Sequence, residues 1–164
     1  MRRILPVIFA TMAATAAMAQ PTVYVSPDVP TDPALAVDYL PWEWVEHDGG
    51  GFTGVVSGVP GSPQVDALHK MDKPDNWLFS VEVPGDLGGT LSSTAQPSDV
   101  IRFDAGAYSF FFCGGSAFDP VPPGSNVDAV YLDHLGGDSG DLLLSFDVPT
   151  TIGGTTFEPA DIVR

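Results

Sequence analysis

Basic residues are scarce in this chain: 6 Lys+Arg stand against 21 Asp+Glu, a formal net charge of −15 over 164 residues. That balance excludes a protein that grips nucleic-acid phosphates, which needs cationic surface to release counterions. It also argues against docking on an anionic membrane leaflet. Cysteine is nearly absent, and the single Cys113 cannot close an internal disulfide. Its place after Ser109-Phe110-Phe111-Phe112 suits a small buried apolar residue better than a reactive thiol. Sustained helical periodicity is missing too: beyond residue 19 no ten-residue window keeps a 3.6-residue apolar period. With 18 Gly and 16 Pro, long helices are disfavoured. The three histidines and one cysteine have no zinc-ligand spacing. No glycine-rich strand-to-helix loop is present to cradle a phosphate. What remains is 44% hydrophobic, too apolar for disorder and about the length of one domain.

The first segment reads as an address. Residues 1–19 begin with Arg2 and Arg3, continue uncharged from Ile4, and end Ala17-Met18-Ala19. A basic start, an apolar run and a small-x-small site make a secretory signal peptide, with cleavage expected between Ala19 and Gln20. The uncharged run falls short of the roughly 17–25 residues that cross a bilayer. Cleavage would leave Lys70, Lys73, Arg102 and Arg164 against 21 acids, a net −17. The expected location is therefore secreted or periplasmic, with no membrane insertion after cleavage.

The rest of the chain repeats itself. One block occurs three times, as Val25-Ser26-Pro27-Asp28-Val29-Pro30, Phe79-Ser80-Val81-Glu82-Val83-Pro84 and Leu144-Ser145-Phe146-Asp147-Val148-Pro149. Behind the last two, Leu87-Gly88-Gly89-Thr90 aligns with Ile152-Gly153-Gly154-Thr155. A second block is Asp99-Val100-Ile101-Arg102 and Asp161-Ile162-Val163-Arg164, with Glu43-Trp44-Val45-Glu46 as a weaker copy. Two copies continue in step: His47-Asp48 to Phe52 lies under Phe103-Asp104 to Tyr108. A third pair is Val65-Asp66-Ala67-Leu68 and Val127-Asp128-Ala129-Val130. The blocks keep their order, so the domain 20–164 reads as approximately 23–72, 77–135 and a partial 142–164.

Each block has the look of a strand. Leu142, Leu144, Phe146 and Val148 alternate with more polar neighbours, as do Trp77, Phe79, Val81 and Val83. That period of two predicts one buried and one wet face. Tyr108, Phe110 and Phe112 are expected to share a face, and Gly- and Pro-rich turns separate the blocks. The fold class expected is all-β, about ten short antiparallel strands from two and a half four-strand repeats. A sandwich or barrel with pseudo-twofold symmetry is preferred, the first and last strands filling its edges. The alternative is a fragment of propeller blades.

The string Asn126-Val127-Asp128-Ala129, then Asp141-Leu142-Leu143-Leu144-Ser145-Phe146-Asp147, then Asp161-Ile162-Val163-Arg164 resembles a unit of secreted bacterial β-repeat proteins. Their units have the pattern "IDAL…LLLSFD…D-[IV]-V", and their activity is uncharacterised. The resemblance covers most of residues 65–164 and implies compartment and repeats, not chemistry.

Several constellations invite a functional reading. Gly137-Asp138-Ser139-Gly140-Asp141 is similar to the surroundings of a serine-protease nucleophile. That chemistry needs a positioned histidine and acid, and His47, His69 and His134 have no such context. The acidic turns, with Asp72 and Asp75 in one and Asp133, Asp138 and Asp141 in the other, offer hard oxygens for calcium. Their spacing matches neither an EF-hand nor a nonapeptide repeat, and Asp and Gly are ordinary turn residues. The repeat-matched acids Asp28/Glu82/Asp147, Asp66/Asp128, Asp48/Asp104 and Glu43/Asp99/Asp161 could form a glycosidase-type pair. An acid recurring in each unit more often serves structure. Trp42 and Trp44 bracket Glu43 and could hold a sugar ring, but Trp44 aligns with Val100, which favours core or interface packing. The preferred reading is an exported non-enzymatic β-repeat module with a structural or binding role. Its partner would be a glycan, another protein or neighbouring copies of itself, and it needs no cofactor unless the acidic turns take calcium. The alternatives are an exported hydrolase, glycosidase- or serine-hydrolase-like, and a calcium-stabilised carbohydrate-binding module.

Overall fold

The computed structural model describes residues 22–26, 39–48, 51–56, 59–61, 63–89, 91, 93–115, 121–136 and 139–164, with backbone alone at 134–136 and 139. Eleven strands and no helix occur among the described residues. They are β1 (Val23–Val25), β2 (Trp44–His47), β3 (Phe52–Val56), β4 (Val65–Lys70), β5 (Asn76–Val81), β6 (Val100–Asp104), β7 (Ala107–Phe112), β8 (Val127–Gly136), β9 (Ser139–Phe146), β10 (Thr150–Ile152) and β11 (Thr155–Phe157). All paired strands run antiparallel, in sheets ordered β1-β2-β3, β4-β5-β6-β7, β8-β9 and β10-β11. Val163 adds a bridge to Leu144 at the edge of β9.

The fold is all-β and sandwich-like, with open sheets rather than a closed barrel among the described residues. Three layers stack face to face. Between β1–β3 and the central four-stranded sheet lies one core, built on Trp44, Trp77, Phe79, Val81, Ile101 and Tyr108. The second core lies between the central sheet and β8–β9, and holds Leu78, Val100, Val127, Val130, Leu132 and Phe146. A pseudo-twofold sandwich would have β1 complete another sheet's edge. Instead β1 pairs with β2 inside the first layer.

The central position corrects the one-face-wet expectation for the Trp77 strand. Every residue of β5 is buried, Leu78 and Ser80 as completely as Trp77 and Phe79. Alternation within a strand shows which residues share a face. It does not show whether a further layer covers the other face.

Bulges reset the faces elsewhere. The register slips between Val100 and Ile101, so Val100 pairs with Phe112 and Ile101 with Phe110. Phe112 therefore packs into the second core while Tyr108 stays in the first, and the three aromatics do not share one face. The same kind of slip separates Trp44 from Val45, and others fall between Val65 and Leu68 and between Val127 and Ala129.

One hydroxyl holds the bulged strands in place. The bulge in β4 turns Ala67 N–H away from the ladder, and it donates to Ser80 Oγ at 3.0 Å. Ser80 Oγ in turn donates to the Val127 carbonyl on β8 at 2.7 Å. The β6–β7 turn runs through Ala105 (φ 48°) and Gly106 (φ 94°), two left-handed residues as a tight primed hairpin requires.

Candidate functional site

Three acids occupy the same local motif, each just ahead of a strand or bridge. Glu43 accepts Leu40 N–H at 2.9 Å, Asp99 accepts Gln96 N–H at 2.8 Å, and Asp161 accepts Glu158 N–H at 2.8 Å. Each acid's own N–H donates back to the carbonyl of that same partner, at 2.9 Å in all three cases. This reciprocal pair closes a three-residue step and aims the chain into the next strand. Asp99 is buried, and burial raises its carboxyl above the ordinary range while hydrogen bonds from the Gln96 and Gly114 backbone oppose the rise. A Cβ at Gly114 would collide with the Ser98 carbonyl, so glycine lets the two segments meet beside Asp99.

A second group of acids converges where β4, β5, β8 and β9 meet. Asn126 Nδ2 donates to Asp66 Oδ2 at 2.7 Å and to Asp147 Oδ2 at 3.1 Å, joining residues far apart in sequence. Burial raises the Asp66 carboxyl, the Asn126 bond lowers it, and the negative charges of Asp128, Glu82 and Asp147 raise it further. The repeat-matched pairs Asp66/Asp128 and Glu82/Asp147 are thus neighbours in space. Asn126, just ahead of the Val127-Asp128-Ala129-Val130 block, is the residue that connects them.

The proposed calcium residues are distributed differently. Asp72 and Asp75 are exposed in the β4–β5 turn, where Asp75 takes a left-handed conformation (φ 52°). Asp133 and Asp141 lie on strands rather than in a turn, as direct cross-strand partners in β8 and β9. Arg164 pairs with Asp141, and Asp133 adds to the field that raises the guanidinium's pKa. Asp28 and Asp138 lie outside the described residues, as does the segment 1–19. Among the described residues, no three His, Cys, Asp or Glu side chains group as they would around a metal ion.

Trp44 is fully buried, its ring 5.3 Å from Trp77, 5.1 Å from Phe79 and 5.5 Å from Phe103. No face of it is open to a sugar. Trp42 sits half-buried in the turn before β2, and its carbonyl accepts Val59 N–H at 3.2 Å. Half-buried Cys113, with Asp99 and Gln96, borders a shallow depression. His69 meets Tyr131 ring to ring at 4.9 Å, and His47 meets Phe52 at 4.7 Å. The two histidines lie in different layers.

A largely apolar groove of about 380 Å³ opens on the face of β8–β9 that presents Tyr131 and Leu143, lined also by Ser145, Ala160 and Ile162. It was not anticipated from the sequence, although Leu143 and Ile162 are apolar on a face expected to be wet. Comparison with family models, curated proteins and solved structures finds no match for the chain.

Proposed function

We propose that this chain is an exported, non-enzymatic β-repeat module whose role is structural or binding. The observation that carries the reading is the recurrence of one strand pairing. Val25 pairs with Val45, Phe79 with Ile101, and Leu144 with Val163. These are the aligned positions of the two strongest sequence blocks, and the acid lock precedes the second strand each time. The bulges recur as well, at Trp44/Val45 and Val100/Ile101 and again at Val65/Leu68 and Val127/Ala129. Gly88 and Gly89 take left-handed conformations, as do the aligned Gly153 and Gly154.

Acids bound into turn locks and Asn126 bridges have a structural occupation in each unit. That favours a module over a hydrolase, whose acid and base would converge once in a cleft. Export is inferred from residues 1–19 alone. Expressed from the full reading frame in a Gram-negative bacterium, the protein should leave the cytoplasm with a mass lacking residues 1–19. A cytoplasmic product of full mass would overturn the export reading.

A further inference from the structure

We infer that the outer face of the β8–β9 layer docks a second copy of this chain, head to tail, through the outer face of that copy's β1–β3 layer. The proposal takes its equivalence of faces from the repeat reading above.

Inside the molecule, each layer meets the next in one way. In the central sheet, Leu78 and Val100 belong to one face, and β8 covers it with Val127, Val130 and Leu132. In the first layer, Tyr24 and Trp44 belong to the corresponding face. Both rings rest on Trp77 of the central sheet, at 4.8 Å and 5.3 Å. Front thus meets back twice.

The third layer has the same front, and no further strand layer covers it among the described residues. Leu143 and Ile162 neighbour the paired Leu144 and Val163, as Leu78 and Val100 neighbour the paired Phe79 and Ile101. Yet Ile162 is 72% exposed, and Tyr131, the cross-strand partner of Leu143, is 51% exposed although its ring reaches around to His69 of the central sheet. Val100 and Leu78 have no exposed surface at all.

The back of the first layer is covered at its middle, where Tyr39 packs beside Gly54 and Val45 is buried, and is open on either side. Val23, His47 and Phe52 form one cross-strand row, opposite in facing to Tyr24 and Trp44. Val23 is 50%, Phe52 53% and Val25 39% exposed. The corresponding residues of the central sheet, Trp77, Tyr108 and Phe79, are buried under the first layer. Five of the seven large exposed hydrophobic side chains among the described residues therefore lie on these two end faces. Exposed apolar residues gathered in this way mark an interaction surface.

A second copy is the occupant because its back has the chemistry that the front already takes up twice within the molecule. Front-to-back contact between identical chains is heterologous, so it builds a ring if the rotation closes and a filament if it does not. Both partners are strongly acidic, so association should tighten as salt screens their repulsion.

Analytical ultracentrifugation of the purified protein over a wide concentration range tests this. Concentration-dependent oligomers, favoured by added salt, are expected. Ile162→Asp spoils the front and Phe52→Asp spoils the back. Each alone should weaken self-association by more than about tenfold, since an acid buried without a partner is costly. Both sites are exposed, and circular dichroism should show both variants folded. An equimolar mixture of the two should form a dimer that grows no further, because each variant retains one intact face. A wild-type protein that stays monomeric throughout overturns the proposal. So does association that survives both substitutions, or a mixture that stays monomeric. The export reading rests on N-terminal mass and stands or falls separately.

Discussion

At the scale of single residues, Ser80 carries more than its size suggests. Its hydroxyl is buried, donates to Val127 C=O and accepts Ala67 N–H, so one atom answers for two strands that bulge away from their ladders. Removing it leaves a buried donor and a buried acceptor without partners, at roughly 1–3 kcal/mol for each group. Ser80→Ala should therefore lose about 2–4 kcal/mol in urea unfolding. Ser145→Ala, at the aligned position facing the open groove, should lose under about 1 kcal/mol. Equal losses would contradict the assignment. Nothing in Phe79-Ser80-Val81 distinguishes this serine from its counterpart in Leu144-Ser145-Phe146; the difference comes from what stacks above it. Trp44 is the same lesson in reverse: its alignment with buried Val100 pointed to the core, and its rank among fully buried side chains agrees.

At the scale of elements, the acid locks set how strands begin. Glu43, Asp99 and Asp161 sit in one motif; Asp99 is the buried one, and burial raises its carboxyl. A raised value means that the folded state holds the proton more tightly than the unfolded chain. Stability from this group is thus greatest at low pH. It is lost as pH rises from the ordinary carboxylate value, about 4, through Asp99's own higher value. Asp99→Asn keeps an acceptor oxygen and removes the titration. The stability difference, wild type minus variant, should fall as pH rises through that window and level off on either side. A flat or rising difference in urea midpoints measured against pH would refute this. Strand identity, turn chemistry and the recurring acids were all legible in the sequence, because periodicity and turn residues are local properties. The bulge at Val100/Ile101 was not, and it sent Phe112 to the other core. A bulge depends on how two strands register, and neither strand encodes it alone.

At the scale of the whole molecule, three stacked layers account for where the charge resides. β5 gives both faces to cores, and the acids are pushed to turns, strand edges and the cluster around Asn126. At the opposite strand ends of the third layer, the Arg164 guanidinium is paired with Asp141 and lies in the field of Asp133. Arg164 therefore supplies the positive charge that a calcium ion would bring there. Binding to the native state alone would raise stability by RT ln(1 + [L]/Kd). Thermal unfolding with millimolar calcium and with chelator should give the same midpoint within about a degree. A shift of several degrees, about 1 kcal/mol or more for a domain of this size, would establish a site in the acidic turns after all.

The scarcity of basic residues, the alternating apolar positions and the Gly/Pro turns were enough to determine an all-β chain with a strongly acidic balance of charge. Those properties are set by neighbours within a few residues. Tertiary structure decided how many layers form, which strand faces are dry, where registers slip and which acids meet. Each of these depends on surfaces brought together from distant parts of the chain. Leu78 and Leu143 occupy the same place in their blocks. One is sealed and the other lines an open groove, because among the described residues only one has a following layer to cover it.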